Sequence, residues 1–154
     1  MVGRTRSKLL REQADVNGGF GVRNMTLSGQ TLRFLVAEDE SRLQVIMRLW
    51  LTKAGHEVVL VRNGREALDH LAAAFDVLIT DVNMPLLNGM DLVRRLLAEG
   101  RTPRLTIILT SRCDVEELQR EFSSPNIRIF SKPFSPRDLM NLIEEYFSST
   151  EVKP

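Results

Sequence analysis

The sequence predicts an α/β fold, a doubly wound five-stranded parallel sheet with helices on both faces, and two observations carry that prediction. From Arg33 onward, short apolar runs alternate five times with segments of helical periodicity, the pattern of successive βαβ units. Those runs hold almost no charged residues, as strands covered on both faces of a parallel sheet require.

The first strand is Phe34-Leu35-Val36-Ala37, ended by the acidic Glu38-Asp39-Glu40. Ser41 with Gln44 three residues on reads as a capping box, Leu43, Ile46, Met47 and Trp50 supply the apolar stripe, and Gly55 stops the helix. Val58-Val59-Leu60-Val61 is the second strand. Asn63 and Glu66 open a helix expected to run to about Ala74, with Ala67, Leu68 and Leu71 inward. Val77-Leu78-Ile79-Thr80-Asp81 is the third strand, and Pro85, Asn88 and Gly89 mark the loop into a helix from Met90 to Ala98 that Gly100 ends. The fourth strand is Leu105-Thr106-Ile107-Ile108-Leu109-Thr110, followed by a helix opened by Asp114 and Glu117 and reaching about Phe122. Ile127-Arg128-Ile129-Phe130 makes the fifth strand. Ser135-Pro136 begins the last helix, whose Leu139, Leu142, Ile143 and Tyr146 share one face.

Composition narrows the function classes. In 154 residues, 43% hydrophobic and 27% charged side chains fit a packed domain and exclude a disordered or fibrous chain. With 21 basic and 20 acidic groups there is no overall field to attract nucleic acid or an anionic membrane. The single cysteine, Cys113, and the lack of a long apolar run predict a reducing, cytoplasmic setting without a membrane span. Residues 1–32 hold five basic groups (Arg4, Arg6, Lys8, Arg11, Arg23) against Glu12 and Asp15, net +3, and are rich in glycine, which predicts a flexible basic tail. Met25 is a second candidate translation start. Residues 33–148 form the predicted domain, and 149–154 a short tail with no room for an output domain.

Ligands of open parallel sheets bind beyond the carboxyl ends of the strands. Glu38 and Asp39, Asp81, Thr110, and Lys132 followed by Pro133 all stand at such ends. Singly, each has an ordinary structural role: acids at a helix start, a turn aspartate, a β-branched strand residue, a solvated lysine, a strand stop. Together they are chemically complementary. Three carboxylates in one place repel unless a cation shares them, and magnesium takes hard oxygen ligands while leaving coordination open to a phosphoryl group. The Lys132 ammonium and Thr110 hydroxyl suit phosphoryl oxygens, and an aspartate is able to attack phosphorus to give an acyl phosphate.

Leu35-Val36-Ala37-Glu38-Asp39-Glu40, Thr80-Asp81-Val82-Asn83-Met84-Pro85 with Asn88-Gly89, Leu109-Thr110-Ser111 and Ser131-Lys132-Pro133-Phe134 resemble, in order and spacing, the four signatures of the receiver domain of two-component response regulators. The resemblance spans about residues 33–148. It implies a flavodoxin-like (βα)5 fold with strand order 2-1-3-4-5. It further implies that Asp81 is the phosphoacceptor, that Glu38, Asp39, Asp81 and the Asn83 carbonyl hold Mg2+, that Thr110 and Lys132 contact the phosphoryl group, and that the Lys132-Pro133 bond is cis. A sensor histidine kinase or histidine phosphotransfer protein would be the donor and a downstream partner protein the target. The implied docking face lies around the fourth helix, fifth strand and last helix. The chain would modify itself without an external turnover substrate, and so is not an enzyme in the usual sense.

Departures from the family pattern are local. Ile129 stands where an aromatic that turns inward is frequent, and Phe130 has the opposite strand parity. Glu38 is longer than the usual aspartate, Ser111 is larger than the residue often found there, and Pro125-Asn126 replaces a glycine-alanine turn. His56 and His70 have no companion ligands at metal spacing and read as solvated structural histidines; Cys113 lacks a catalytic context. Two alternatives accompany this reading. One is a pseudo-receiver that binds partners without phosphorylation. The other is a haloacid dehalogenase-type phosphatase, disfavoured because Asn83 stands where that family needs an acid.

Overall fold

The computed structural model describes residues 29–111, 113 and 115–151. Chain order is β1 (Arg33–Ala37), α1 (Ser41–Lys53), β2 (Glu57–Val61), α2 (Gly64–His70), β3 (Val77–Asp81), α3 (Gly89–Ala98), β4 (Leu105–Thr110), α4 (Val115–Glu121), β5 (Ile127–Ser131) and α5 (Pro136–Glu151). All five strands are parallel in the order β2-β1-β3-β4-β5, the doubly wound, flavodoxin-like arrangement expected from the sequence.

Alternation along the strands divides the core. Phe34 and Val36 of β1, Val77 and Ile79 of β3, and Leu105, Ile107 and Leu109 of β4 face Met47 and Leu51 of α1 and Leu139, Ile143 and Phe147 of α5. The opposite parity, Leu35, Leu78 and Ile108 among them, packs on α2, α3 and α4 through Ala67, Leu92, Leu96, Val93 and Leu118. The three inner strands are buried on both sides, so truncating Ile107 to Ala would cost about 2–5 kcal/mol. The sheet is thereby a rigid plate whose carboxyl edge holds the loops of interest.

Several local expectations give way to tertiary contacts. Glu40, not Ser41, occupies the α1 N-cap, and no side chain caps that helix. Gln44 is buried instead of reaching back to the cap, because its amide is taken by two backbone carbonyls described below. Of the expected α1 stripe, Met47 is buried but Ile46 is 41% exposed, since the inward face centres on Gln44, Met47 and Leu51. α2 ends at His70 rather than near Ala74; the chain must leave the helix for Asp76 N to reach Arg33 O at 2.9 Å and start β3 beside β1. His56 is 5% exposed, not solvated: its Nδ1 accepts from Leu32 N at 3.3 Å, and its ring lies 5.2 Å from that of Phe34. His70 is exposed on the helix surface. α5 continues past Ser148 to Glu151, with the Ser149 and Thr150 hydroxyls donating to the Tyr146 carbonyl. The tail expected over residues 1–32 lies outside the described residues as far as position 28, and Leu32 is buried. Asp114, expected to open α4, also lies outside them.

Candidate functional site

The end of β1 is built to hold a carboxylate indoors. Glu38 is 1% exposed, and its N–H extends the β1–β2 ladder by donating to Val61 O at 3.0 Å. Gln44 Nε2, one turn into α1, donates to Glu38 O at 2.6 Å and to Val61 O at 3.0 Å, which clamps the two strand ends. The carboxylate then accepts from Glu40 N at 3.0 Å through Oε1, while Oε2 lies 3.1 Å from Lys132 Nζ. Burial pushes the Glu38 pKa above its ordinary value; the Glu40 N–H pulls it back, Asp81 raises it, and Lys132 lowers it.

Asp81 closes β3 and is 7% exposed. The loop after it folds back on the strand, with Val82 N donating to Leu109 O at 3.0 Å and Gly89 N to Val82 O at 2.9 Å. Gly89 is required there: a Cβ at that position would run into the Asp81 carbonyl oxygen. Leu87 O accepts from Gly64 N at 2.9 Å, pinning the same loop to the start of α2, where Asn63 Oδ1 caps Glu66 N at 2.9 Å. Between these anchors Leu86 sits at φ 67°, 85% exposed.

Lys132 arrives from the far end of the chain. Its backbone N–H donates to Thr110 O at 2.7 Å, continuing the β4–β5 pairing, and its bond to Pro133 is cis. Its Nζ stands 3.1 Å from Asp81 Oδ1 and 3.1 Å from Glu38 Oε2. Burial works against its charge, but the hydrogen bonds and attraction of the two carboxylates prevail and hold its pKa above the ordinary lysine value. Thr110 is fully buried at the end of β4, and Ser111 beyond it is exposed.

The geometry brings together Glu38, Asp39, Asp81 and Lys132, with Thr110 tied to Lys132 through the backbone. Carboxylate oxygens of Glu38, Asp39 and Asp81 lie within 4.8 Å of one another. Such a set of hard oxygen donors fits a divalent cation of the magnesium kind, since close carboxylates are costly without a shared positive charge. Asp39 is exposed, as is Asn83 on the loop two residues past Asp81. Strand-end reasoning missed Gln44, Gly89 and the Glu40 N–H. Gln44 and Gly89 were visible only as cap and turn signals, and a backbone donor leaves no mark in a sequence.

The pattern described as the response regulator receiver domain matches residues 34–144. The response regulator receiver protein CpdR of Brucella abortus is 35% identical over 115 residues, covering 73% of this chain and 94% of that protein. Among solved structures, the chemotaxis response regulator CheY4 of Vibrio cholerae superimposes with a TM-score of 0.68 at 28% identity, over 76% of this chain and 99% of the other. The receiver domain of sensor histidine kinase PA1611 from Pseudomonas aeruginosa, with a magnesium ion coordinated in its active site cleft, gives a TM-score of 0.65 at 23% identity, over 77% of this chain and 99% of its own.

Proposed function

The chain belongs to the response regulator receiver family, and from that premise we propose that it is a phosphorylation-controlled signalling switch whose acceptor is Asp81. The observation that carries this reading is the placement of Lys132 Nζ at 3.1 Å from Asp81 Oδ1, beside a set of three carboxylates that suits a hard cation. The donor would be the phosphohistidine of a sensor histidine kinase or a histidine phosphotransfer protein, and the recipient of the signal a downstream partner protein. Cytoplasmic residence suits such a donor, and no helix among the described residues is long and apolar enough to cross a membrane.

In the proposed reaction Asp81 supplies the attacking oxygen and forms an acyl phosphate. Glu38, Asp39 and Asp81, with the Asn83 carbonyl, would hold Mg2+, whose charge when bound offsets that of the phosphoryl oxygens. Lys132, 3.1 Å from the attacking carboxylate, would offset phosphoryl charge as well. Thr110, on the strand end paired with Lys132, offers its hydroxyl to a phosphoryl oxygen. Phosphoryl transfer depends mainly on such positioning and charge stabilisation. The chain thus modifies itself and turns over no outside substrate. Membership in the receiver family speaks against the phosphatase alternative, in keeping with Asn83, whose amide is far too weak an acid to protonate a leaving group.

The test is direct. Incubation with acetyl phosphate and Mg2+ should add one base-labile phosphoryl group, and Asp81→Asn should abolish it. Label persisting in the Asn variant, or no label in either protein, would overturn the assignment and favour a phosphorylation-independent interaction module.

A further inference from the structure

Among the described residues five large apolar side chains are exposed, and three of them, Val45 at 66%, Ile46 at 41% and Leu49 at 48%, lie within one stretch of α1. The same helix carries Arg42, Arg48 and Lys53, all exposed, and no acidic residue. None of these cations is in an ion pair among the described residues, whereas Arg33, Arg94, Arg101 and Arg104 each lie against a carboxylate. Helical spacing sets Arg42, Val45, Ile46, Leu49 and Lys53 on one face, away from the buried Gln44, Met47 and Leu51. The basic N-terminal sequence joins the domain at the end of this helix. Leu32 O accepts from Glu57 N at 2.9 Å and Leu32 N donates to His56 Nδ1 at 3.3 Å, just past Lys53. Residues 1–32, net +3, therefore enter beside the cationic face, although the whole chain is close to balance at +1.

An exposed apolar patch rimmed by polar groups marks a contact with a protein or a membrane. Here the observations favour the membrane. A stable protein interface takes about 800 Å² from each side, with aromatic or arginine anchors set into pockets, and three aliphatic side chains on a convex helix supply far less. A lipid surface asks only for apolar side chains at the boundary of headgroups and acyl chains, with cations among anionic headgroups. Nucleic acid would use the cations but leave the apolar trio in water. We propose that α1 is a reversible docking face for an anionic lipid surface. Val45, Ile46 and Leu49 meet the acyl boundary, and Arg42, Arg48 and Lys53 reach the headgroup phosphates along their flexible stems. The basic groups of the N-terminal sequence, entering at Leu32, add the second signal that so shallow an apolar contact needs. This face does not involve Asp81, so the proposal stands independently of the acceptor.

Co-sedimentation of the full-length chain with vesicles tests this, comparing equimolar phosphatidylglycerol and phosphatidylcholine with phosphatidylcholine alone. The chain should partition onto the anionic vesicles only, and high salt should release it. Arg48→Gln and Leu49→Gln should each lower the partition constant about fivefold. Both positions are exposed, so neither variant disturbs the core. Trp50, the only tryptophan of the chain, follows Leu49 on α1 and reports the contact directly. Its fluorescence should be quenched when the anionic vesicles carry brominated acyl chains. Equal partitioning onto the neutral vesicles, an unquenched Trp50, or either variant binding like the wild type would overturn the proposal, the last two by assigning the attraction to the N-terminal sequence alone. A chain that ignores both kinds of vesicle would overturn it as well and leave this face to an acidic protein.

Discussion

At the scale of single residues, His56 makes the stability of the fold depend on pH. Leu32 N donates to Nδ1, so the neutral ring carries its hydrogen on Nε2, which is buried with no hydrogen-bond partner among the described residues. Burial lowers the His56 pKa below 6.5, and the negative charge of Asp76 opposes that shift without reversing it. A protonated ring would also lose its ability to accept from Leu32. The folded state therefore binds the proton less readily than the unfolded state. Stability from this residue is complete above pH 6.5 and is lost as pH falls through the lowered folded-state value. Denaturant unfolding measured from pH 7.5 down to 5 should show this decline, and His56→Gln, which does not titrate, should flatten it. An equally steep decline in the variant would assign the effect to other groups. Nothing in the sequence marked this histidine, because a His before a strand is solvated or buried according to what packs on it, and here that is Phe34 from a different strand.

At the scale of elements, the loop between β3 and α3 carries local strain. Leu86 holds φ at 67°, a region that costs a branched side chain about 1–2 kcal/mol, and at 85% exposure it recovers little by burial. Leu86→Gly should relieve that cost and give part of it back as unfolded-state entropy, for a net stabilisation of about 0.5–1 kcal/mol. Equilibrium unfolding checks the sign, and a clear destabilisation would show that the Leu side chain supports the loop. Strands and strand-end residues were legible because a parallel sheet writes its burial into uninterrupted apolar runs, and the fold then gathers the ends. Helix limits were less legible. The end of α2 is set by the demand of Asp76 for Arg33, and the start of α1 by Gln44 serving two strand ends instead of a cap. These are bargains between distant segments, which local spacing does not record.

At the scale of the molecule, the route by which a phosphoryl group at Asp81 would be sensed is fixed by which face each β5 side chain occupies. Phe130 packs with the α1 and α5 side, whereas Ile129 packs with Ile108, Val82 and Val93 on the other. Ile129 thus has the inward parity but no ring to rotate, so we expect the change on activation to centre on Thr110 to Cys113. With beryllofluoride and Mg2+, amide shifts should be larger there than at Ile129, and Thr110→Ala should shrink them while Asp81 still accepts phosphate. Changes centred on Ile129 that survive Thr110→Ala would overturn this route. The sheet order has a further consequence, for the chain as it is made. β1 is flanked first by β2 and then by β3, after which β4 and β5 each add to the same free edge, so the sheet is able to grow outward as the ribosome delivers it. Glu38, Asp39 and Asp81 emerge early, but Lys132 comes from the last edge to dock, 94 residues after the glutamate it contacts. A chain without its last strand lacks the ammonium that completes the cluster, so under the proposed function its reactivity toward a phosphodonor would wait until that strand is in place.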